Sequence, residues 1–217
     1  IYIQYMTQDT SSSLLGDVAA YYSAKLKMHG DTPSGVDWNS KESQVLRFQQ
    51  LGKIISPQKK RFSLADLGCG YGALYEYLVQ TYNFSYLGVD ICKSMIQVAE
   101  NRHQGKFGVR FVFAPEPDMQ CDYCVASGIF NVRLDNSDDD WFDYLSDTLR
   151  ALDKFSLKGF AFNCLSSYSD EDKRRDDLYY ADPRDLFDHC KRRFSRNVTL
   201  LHDYGLYEFT ILVRKQL

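Results

Sequence analysis

The stretch Leu64-Ala65-Asp66-Leu67-Gly68-Cys69-Gly70-Tyr71-Gly72 decides the fold, because it puts an acid near the end of an apolar strand and follows it with three glycines at alternate positions. A residue without a Cβ turns through positive φ at little cost and lets a ligand come close to the backbone. The run therefore reads as a ligand-binding turn between a strand and a helix. Two ligand classes fit its glycines. Gly68-x-Gly70-x-x-Ala73 satisfies the dinucleotide pattern, and Asp90 lies 20 residues after Gly70, where an acid for a ribose diol is expected.

Asp66 separates the two. A dinucleotide lays its pyrophosphate against such a turn, and a carboxylate about 4 Å from phosphate repels it by about 4 kcal/mol at an effective dielectric of about 20. An acid here favours a cationic ligand. S-adenosylmethionine (SAM) carries an ammonium and a sulfonium, has no phosphate, and offers a ribose diol to Asp90. The run Asp66 to Gly72 resembles the first motif of class I SAM-dependent methyltransferases, and Tyr86-Leu87-Gly88-Val89-Asp90-Ile91 resembles their second.

From Arg61 to Arg214 the chain reads as an α/β, doubly wound domain, since strand-like and helix-like segments alternate. Strands are predicted at 62–67, 84–90, 109–113, 121–127 and 159–165, and helices at about 73–81, 93–102 and 138–153. Ser137 is placed to cap the last of these, with Asp138, Asp139 and Asp140 on its positive end. After a helix near 183–193 come strands at 198–202 and 206–214, joined by only Asp203-Tyr204-Gly205. So short a connection makes the pair antiparallel, because a parallel return needs a crossover of about a dozen residues or more. The resemblance implies a mostly parallel seven-stranded sheet whose last strand inserts antiparallel beside the fifth. A classical dinucleotide fold ends with a parallel sixth strand instead.

The segment 1–60 is expected to form a helical cap or lid of the same domain as 61–217. A helix is predicted over Leu14 to Met28, and Asn39-x-x-Glu42 reads as a capping-box variant opening a second. Between them, His29 to Trp38 is rich in turn formers and ends in a large aromatic, as a lid would. His29-Gly30 and Gly35-Val36-Asp37-Trp38 also look like a segment of uncharacterised bacterial methyltransferases.

Composition narrows the partners. The net charge of −3 over 217 residues argues against nucleic-acid binding through bulk charge. No run reaches the roughly 18 apolar residues of a membrane span, and Ile1 to Met6 lacks the regions of a signal peptide, so a cytoplasmic protein is expected. The six cysteines lack the dense spacing of a secreted disulfide framework and read as reduced thiols. Cys121-x-x-Cys124 has metal-ligand spacing, but it lies in a predicted strand, where residues three apart face opposite ways. No metal site is expected.

The resemblance assigns roles residue by residue. Asp66 engages the methionine ammonium, the Gly68-Cys69-Gly70 and Gly72 backbone approaches the cofactor, Asp90 holds the ribose hydroxyls and Ile91 packs on adenine. Ser127 and Gly128 follow the fourth strand beside the methionine part, and Arg47 is a candidate fork for the methionine carboxylate. His29 is the candidate general base, Asn131 a candidate to orient the acceptor, and Tyr21, Tyr22, Trp38, Tyr179 and Tyr180 candidates for its walls.

One departure from the family stands out. Only Ala114 to Gln120 joins the third strand to the fourth, and seven extended residues reach about 23 Å. That length must climb the sheet and pass two strands at about 4.8 Å each, so the usual crossover helix is expected to be missing. Ala114 also stands where related enzymes often hold the adenine amino group with an acid or amide.

The expected activity is transfer of a methyl group from SAM to an oxygen or nitrogen of a small molecule, leaving S-adenosylhomocysteine (SAH). An RNA or protein methyltransferase, docking through Lys173, Arg174, Arg175, Lys191, Arg192, Arg193 and Arg196, is the alternative enzyme. A non-catalytic SAM-binding domain is the alternative of another class. An NAD-dependent oxidoreductase is disfavoured by Asp66 and by the closing hairpin.

Overall fold

The computed structural model describes residues 6–56 and 61–215, with side chains from Leu14 onward. Residues 1–5, which belong to the stretch that carries the expectation of no signal peptide, lie outside the described residues. Among the described residues no helix is long and apolar enough to cross a membrane.

Seven strands form one sheet: β1 (Phe62–Leu67), β2 (Phe84–Asp90), β3 (Val109–Phe113), β4 (Cys121–Ala126), β5 (Ser156–Leu165), β6 (Asn197–Leu201) and β7 (Glu208–Arg214). Their spatial order is β3-β2-β1-β4-β5-β7-β6, with the first five parallel and β7 antiparallel between β5 and β6. The doubly wound sheet with an inserted hairpin strand is the expected one. Chain direction reverses its growth at β1, where neighbours lie to either side, so the carboxyl ends of β1 and β4 open the crevice in which such folds place ligands.

Both faces are covered. Along β1, Ala65 and Leu67 enter one buried cluster with α5 (Asp138–Phe155) and α6 (Pro183–Arg193), while Phe62 and Leu64 enter the other with α2 (Lys41–Gly52) and α3 (Ala73–Leu78). This alternation is the period of two that a strand imposes. α4 (Lys93–Arg102) buries Met95, Ile96 and Ala99, with Val98 half-buried beside them. Ser137 caps α5 by accepting the Asp140 N–H at 3.1 Å, with the three acids in the first turn as expected.

Three local expectations are corrected. The first helix, α1 (Met6–His29), starts at Met6, well ahead of the expected Leu14, and runs one residue past Met28 to take in His29. The α2 cap is Ser40, whose hydroxyl accepts the Ser43 N–H at 3.1 Å, rather than Asn39. Cys121 and Cys124 enter the same buried cluster rather than facing opposite ways, and the β4–β5 pairing is irregular between Cys121 and Tyr123. Both thiols are buried and reduced, and among the described residues no group of three or more His, Cys, Asp or Glu is arranged to hold a metal. The connection from β3 to β4 has no helix, and β3 stays half-covered at the sheet's edge.

Candidate active site

The site is built at the end of β1. Gly68 and Cys69 donate their N–H groups to Val89 O at 2.8 and 3.1 Å, folding the turn back onto β2. Gly68 has φ +75°, and a Cβ on it would lie 2.1 Å from Ile129 Cγ2, so conformation and packing both require glycine there. The Gly70 N–H donates to Asp90 Oδ2 at 2.8 Å and the Cys92 N–H to Asp90 Oδ1 at 2.8 Å. The two sequence motifs are thereby one hydrogen-bonded unit.

Two acids share this unit. Asp66 is 2% exposed; its Oδ2 accepts the Tyr86 hydroxyl, and its Oδ1 has no partner among the described residues. Burial pushes the Asp66 carboxyl up to about 7, against the opposing pull of the Tyr86 hydrogen bond. Burial likewise raises Asp90 to about 6, restrained by the backbone N–H groups that bind it. Both line a cavity of about 330 Å³ with Ile91, Ser127 and Gly128. Ser127 Oγ is a second buried polar atom without a partner among the described residues. A cavity with a bare carboxylate oxygen and a bare hydroxyl suits a ligand that brings a hydrogen-bond donor, above all a cationic one.

The segment ahead of β1 lines one side of the cavity. A short 3₁₀ turn, Pro33–Val36, puts Val36 against the glycine turn, and Trp38 lies against Gly128. A Cβ on Gly128, at φ +76°, would sit 2.3 Å from the indole. Asp37 is held by Lys25 Nζ at 2.6 Å and by the Tyr21 hydroxyl at 2.8 Å, which ties the turn to α1. Beyond Trp38 lies a second cavity of about 440 Å³, lined by Arg47, Asn131, Arg175, Tyr180 and Glu208 among others. Tyr22, Val36, Trp38 and Gly128 line both cavities.

The two cavities sort the remaining sequence candidates. Cys69, Gly68 and Gly70 line the first cavity, and Gly72 closes the turn at the N-terminus of α3. Asn131 lines the second; its Oδ1 accepts the Leu165 N–H at 3.1 Å. Tyr180 also lines the second, and its hydroxyl accepts the Arg175 N–H. Tyr21 is spent on Asp37.

Tyr21, His29 and Tyr179 line neither cavity, and Arg47 lines the second rather than the first. Arg47 does not reach the first cavity: its Nε and Nη2 grip Glu208 at 2.8 and 2.5 Å, its guanidinium stacks 3.9 Å from the centre of a Trp38 ring, and its Nη1 has no partner among the described residues. His29 is exposed at the end of α1 and lines neither cavity, because the helix carries it outward. Tyr179 packs against the buried clusters, and its N–H donates to Asn131 O. Ala114 carries only a methyl group, and its N–H donates to Asp90 O; Pro115 and Glu116 line the first cavity, with Asp147 and Thr148 from α5.

Sequence reasoning missed Glu208 and Asn163. Asn163 is fully buried, accepts the Gly128 N–H at 2.7 Å and donates to Glu208 Oε2 at 2.9 Å. The signal was present: each is a polar residue in an otherwise apolar buried strand, a position tolerated only with hydrogen-bond partners.

Comparison with known proteins bears on the family and the fold. Residues 64–154 match the methyltransferase domain family. The protein named "Putative methyltransferase Rv1506c" of Mycobacterium tuberculosis is 56% identical over 155 residues, covering 71% of this chain and 93% of that protein. The magnesium protoporphyrin IX methyltransferase of Synechocystis PCC 6803, solved with bound SAH, shares the fold at a TM-score of 0.66 and 14% identity, covering 96% of this chain and 100% of that one. DhpI, in its complex with SAM and HEP, does so at 0.63 and 15%, covering 92% and 96%. With motifs, sheet order and a relative of this identity in accord, the chain belongs to the class I SAM-dependent methyltransferases.

Proposed function

We propose that the chain methylates an oxygen or nitrogen of a small molecule, with SAM in the first cavity and the acceptor in the second. The observation that carries this reading is the unpartnered Asp66 Oδ1 in the first cavity, set where a SAM ammonium would supply the missing donor. SAM supplies the electrophilic methyl when bound. Asp66 and the glycine-turn backbone bind its methionine part, Asp90 its ribose hydroxyls, and Ile91 packs on adenine. Ser127 and Gly128 flank the methyl-bearing end.

The remaining work is positioning. Displacement at a methyl is in line, and holding the nucleophile about 3–3.5 Å from it supplies much of the rate. Tyr22 and Trp38 wall the junction of the cavities, with Asn131 and Tyr180 deeper in the second. With His29 turned to solvent, no histidine serves as base in this scheme, and the acceptor loses its proton to water or to a group of its own. The helical segment ahead of β1 acts as the cap that keeps the site enclosed, which favours small acceptors over polymers.

Calorimetry with SAM, SAH and NAD tests the reading. SAM and SAH binding with no NAD binding is expected; NAD binding without SAM would overturn it. An Asp90→Ala variant is expected to lose SAM affinity, and full affinity there would remove the ribose assignment.

A further inference from the structure

Five residues close a ring around the wall between the two cavities. The Gly128 N–H donates to Asn163 Oδ1, and Asn163 Nδ2 donates to Glu208 Oε2. Arg47 donates to both oxygens of the same carboxylate. The Arg47 guanidinium stacks on Trp38, and Trp38 returns to Gly128, which it approaches too closely for any side chain. The members come from α2, β5, β7, the loop after β4 and the turn after Val36. Arg47, Asn163 and Glu208 are 7%, 0% and 1% exposed.

Stability alone does not explain such a ring. Replacing a buried ion pair by well-packed apolar residues is often neutral or stabilising, so the pair is a poor device for holding a fold together. What it does well is fix geometry, since a bidentate fork admits one orientation. Here the geometry fixed is that of Gly128 and Trp38, two residues shared by both cavities.

We propose that Glu208 is a positioning residue for methyl transfer. Through Asn163 it holds the Gly128 backbone on the cofactor side, and through Arg47 it holds Trp38 as the wall on the acceptor side. One carboxylate thus sets both faces of the boundary that the methyl crosses. The inference rests on the reading of the first cavity as the SAM site.

The test separates the two arms. Trp38 is one of two tryptophans, so a Trp141→Phe background reports on Trp38 emission alone. In Asn163→Ala the Arg47–Glu208 pair survives: SAH affinity by calorimetry is expected to fall about tenfold, as for one lost hydrogen bond in a buried site, with Trp38 emission kept. In the double variant Arg47→Met with Glu208→Leu, no unpaired charge is left buried; SAH affinity is expected to fall as far, and Trp38 emission to move to longer wavelength as the indole loosens. Unchanged SAH affinity in folded Asn163→Ala protein overturns the cofactor arm, and so the proposal, whether or not the double variant folds. Unchanged Trp38 emission in a folded double variant overturns the acceptor arm. A wild-type protein that binds no SAH overturns the functional reading instead, which is a separate outcome.

Discussion

Tyr86 stands opposite Leu64 on the neighbouring strand and reaches diagonally to Asp66, donating its hydroxyl to Oδ2 at 2.6 Å while Oδ1 stays bare. Burial, and then the nearby Asp90, oppose the ionisation of this acid, and the tyrosine hydrogen bond eases it. Tyr86→Phe removes that help and drives the carboxyl further up. For the wild type, SAM affinity should weaken as pH falls through about 7, where Asp66 takes up a proton. In the variant the same loss should begin at higher pH, as read by calorimetry over a pH series. Coincident profiles would remove Asp66 from the ammonium.

The two acids also shape the stability of the ligand-free protein. Their ordinary value is 3.8, and the fold raises them to about 7 and about 6, so the native state holds protons that the unfolded chain releases. Stability from these groups is full below about 4 and lost as pH rises through about 7. Asp66→Asn should therefore flatten the fall in Tm between pH 4 and 8 and raise Tm at pH 8, while lowering SAM affinity at least about tenfold. A Tm profile identical to wild type would show that Asp66 is not the group responsible.

Glycine substitutions should divide by their surroundings. Gly68→Ala meets both a positive φ and Ile129, and should cost at least about 2 kcal/mol, with a Tm loss of roughly 4–8 °C. Gly16→Ala, on an exposed helical position with nothing within 4 Å, should instead stabilise by about 0.5–1 kcal/mol. Thermal melts of the two variants check the contrast.

Asp37 ties the 3₁₀ turn to α1, and it does so from a left-handed backbone, φ +61°. Lys25 and Tyr21 both donate to it. Asp37→Ala should loosen Val36 and Trp38 over the cavities, costing about 1 kcal/mol of stability and speeding SAH release several-fold. Stopped-flow displacement of SAH measures the rate; an unchanged rate would mean that this tie does not govern access.

What was legible in the sequence was what is local or periodic. The glycine turn, the second acid and the closing hairpin depend on spacing within a few residues, and even the missing crossover helix follows from the reach of Ala114 to Gln120. The partner of Arg47 was not legible, because Glu208 lies 161 residues away and only the folded sheet brings them together. Arg47 therefore looked free for a ligand. The placement of His29 failed for another reason: a helix that runs one residue longer rotates a side chain by about 100° and turns a lid residue outward. Cys121 shares a buried cluster with Cys124 beside an irregularity in the β4–β5 pairing that no composition signals.

The short link from β3 to β4 bears on self-association as well. With no helix in the connection from β3 to β4, β3 is an open rim of the sheet, and Phe107, Phe113 and Met119 on and beside it are 90%, 57% and 50% exposed. A bare rim with exposed aromatics is a template on which another chain can add a strand. This one is blunted: Arg110 on β3 is clamped to Asp118 by two hydrogen bonds, and Pro115 and Pro117 follow directly with no N–H to offer. The same seven residues that shorten the connection thus serve as gatekeepers against aggregation.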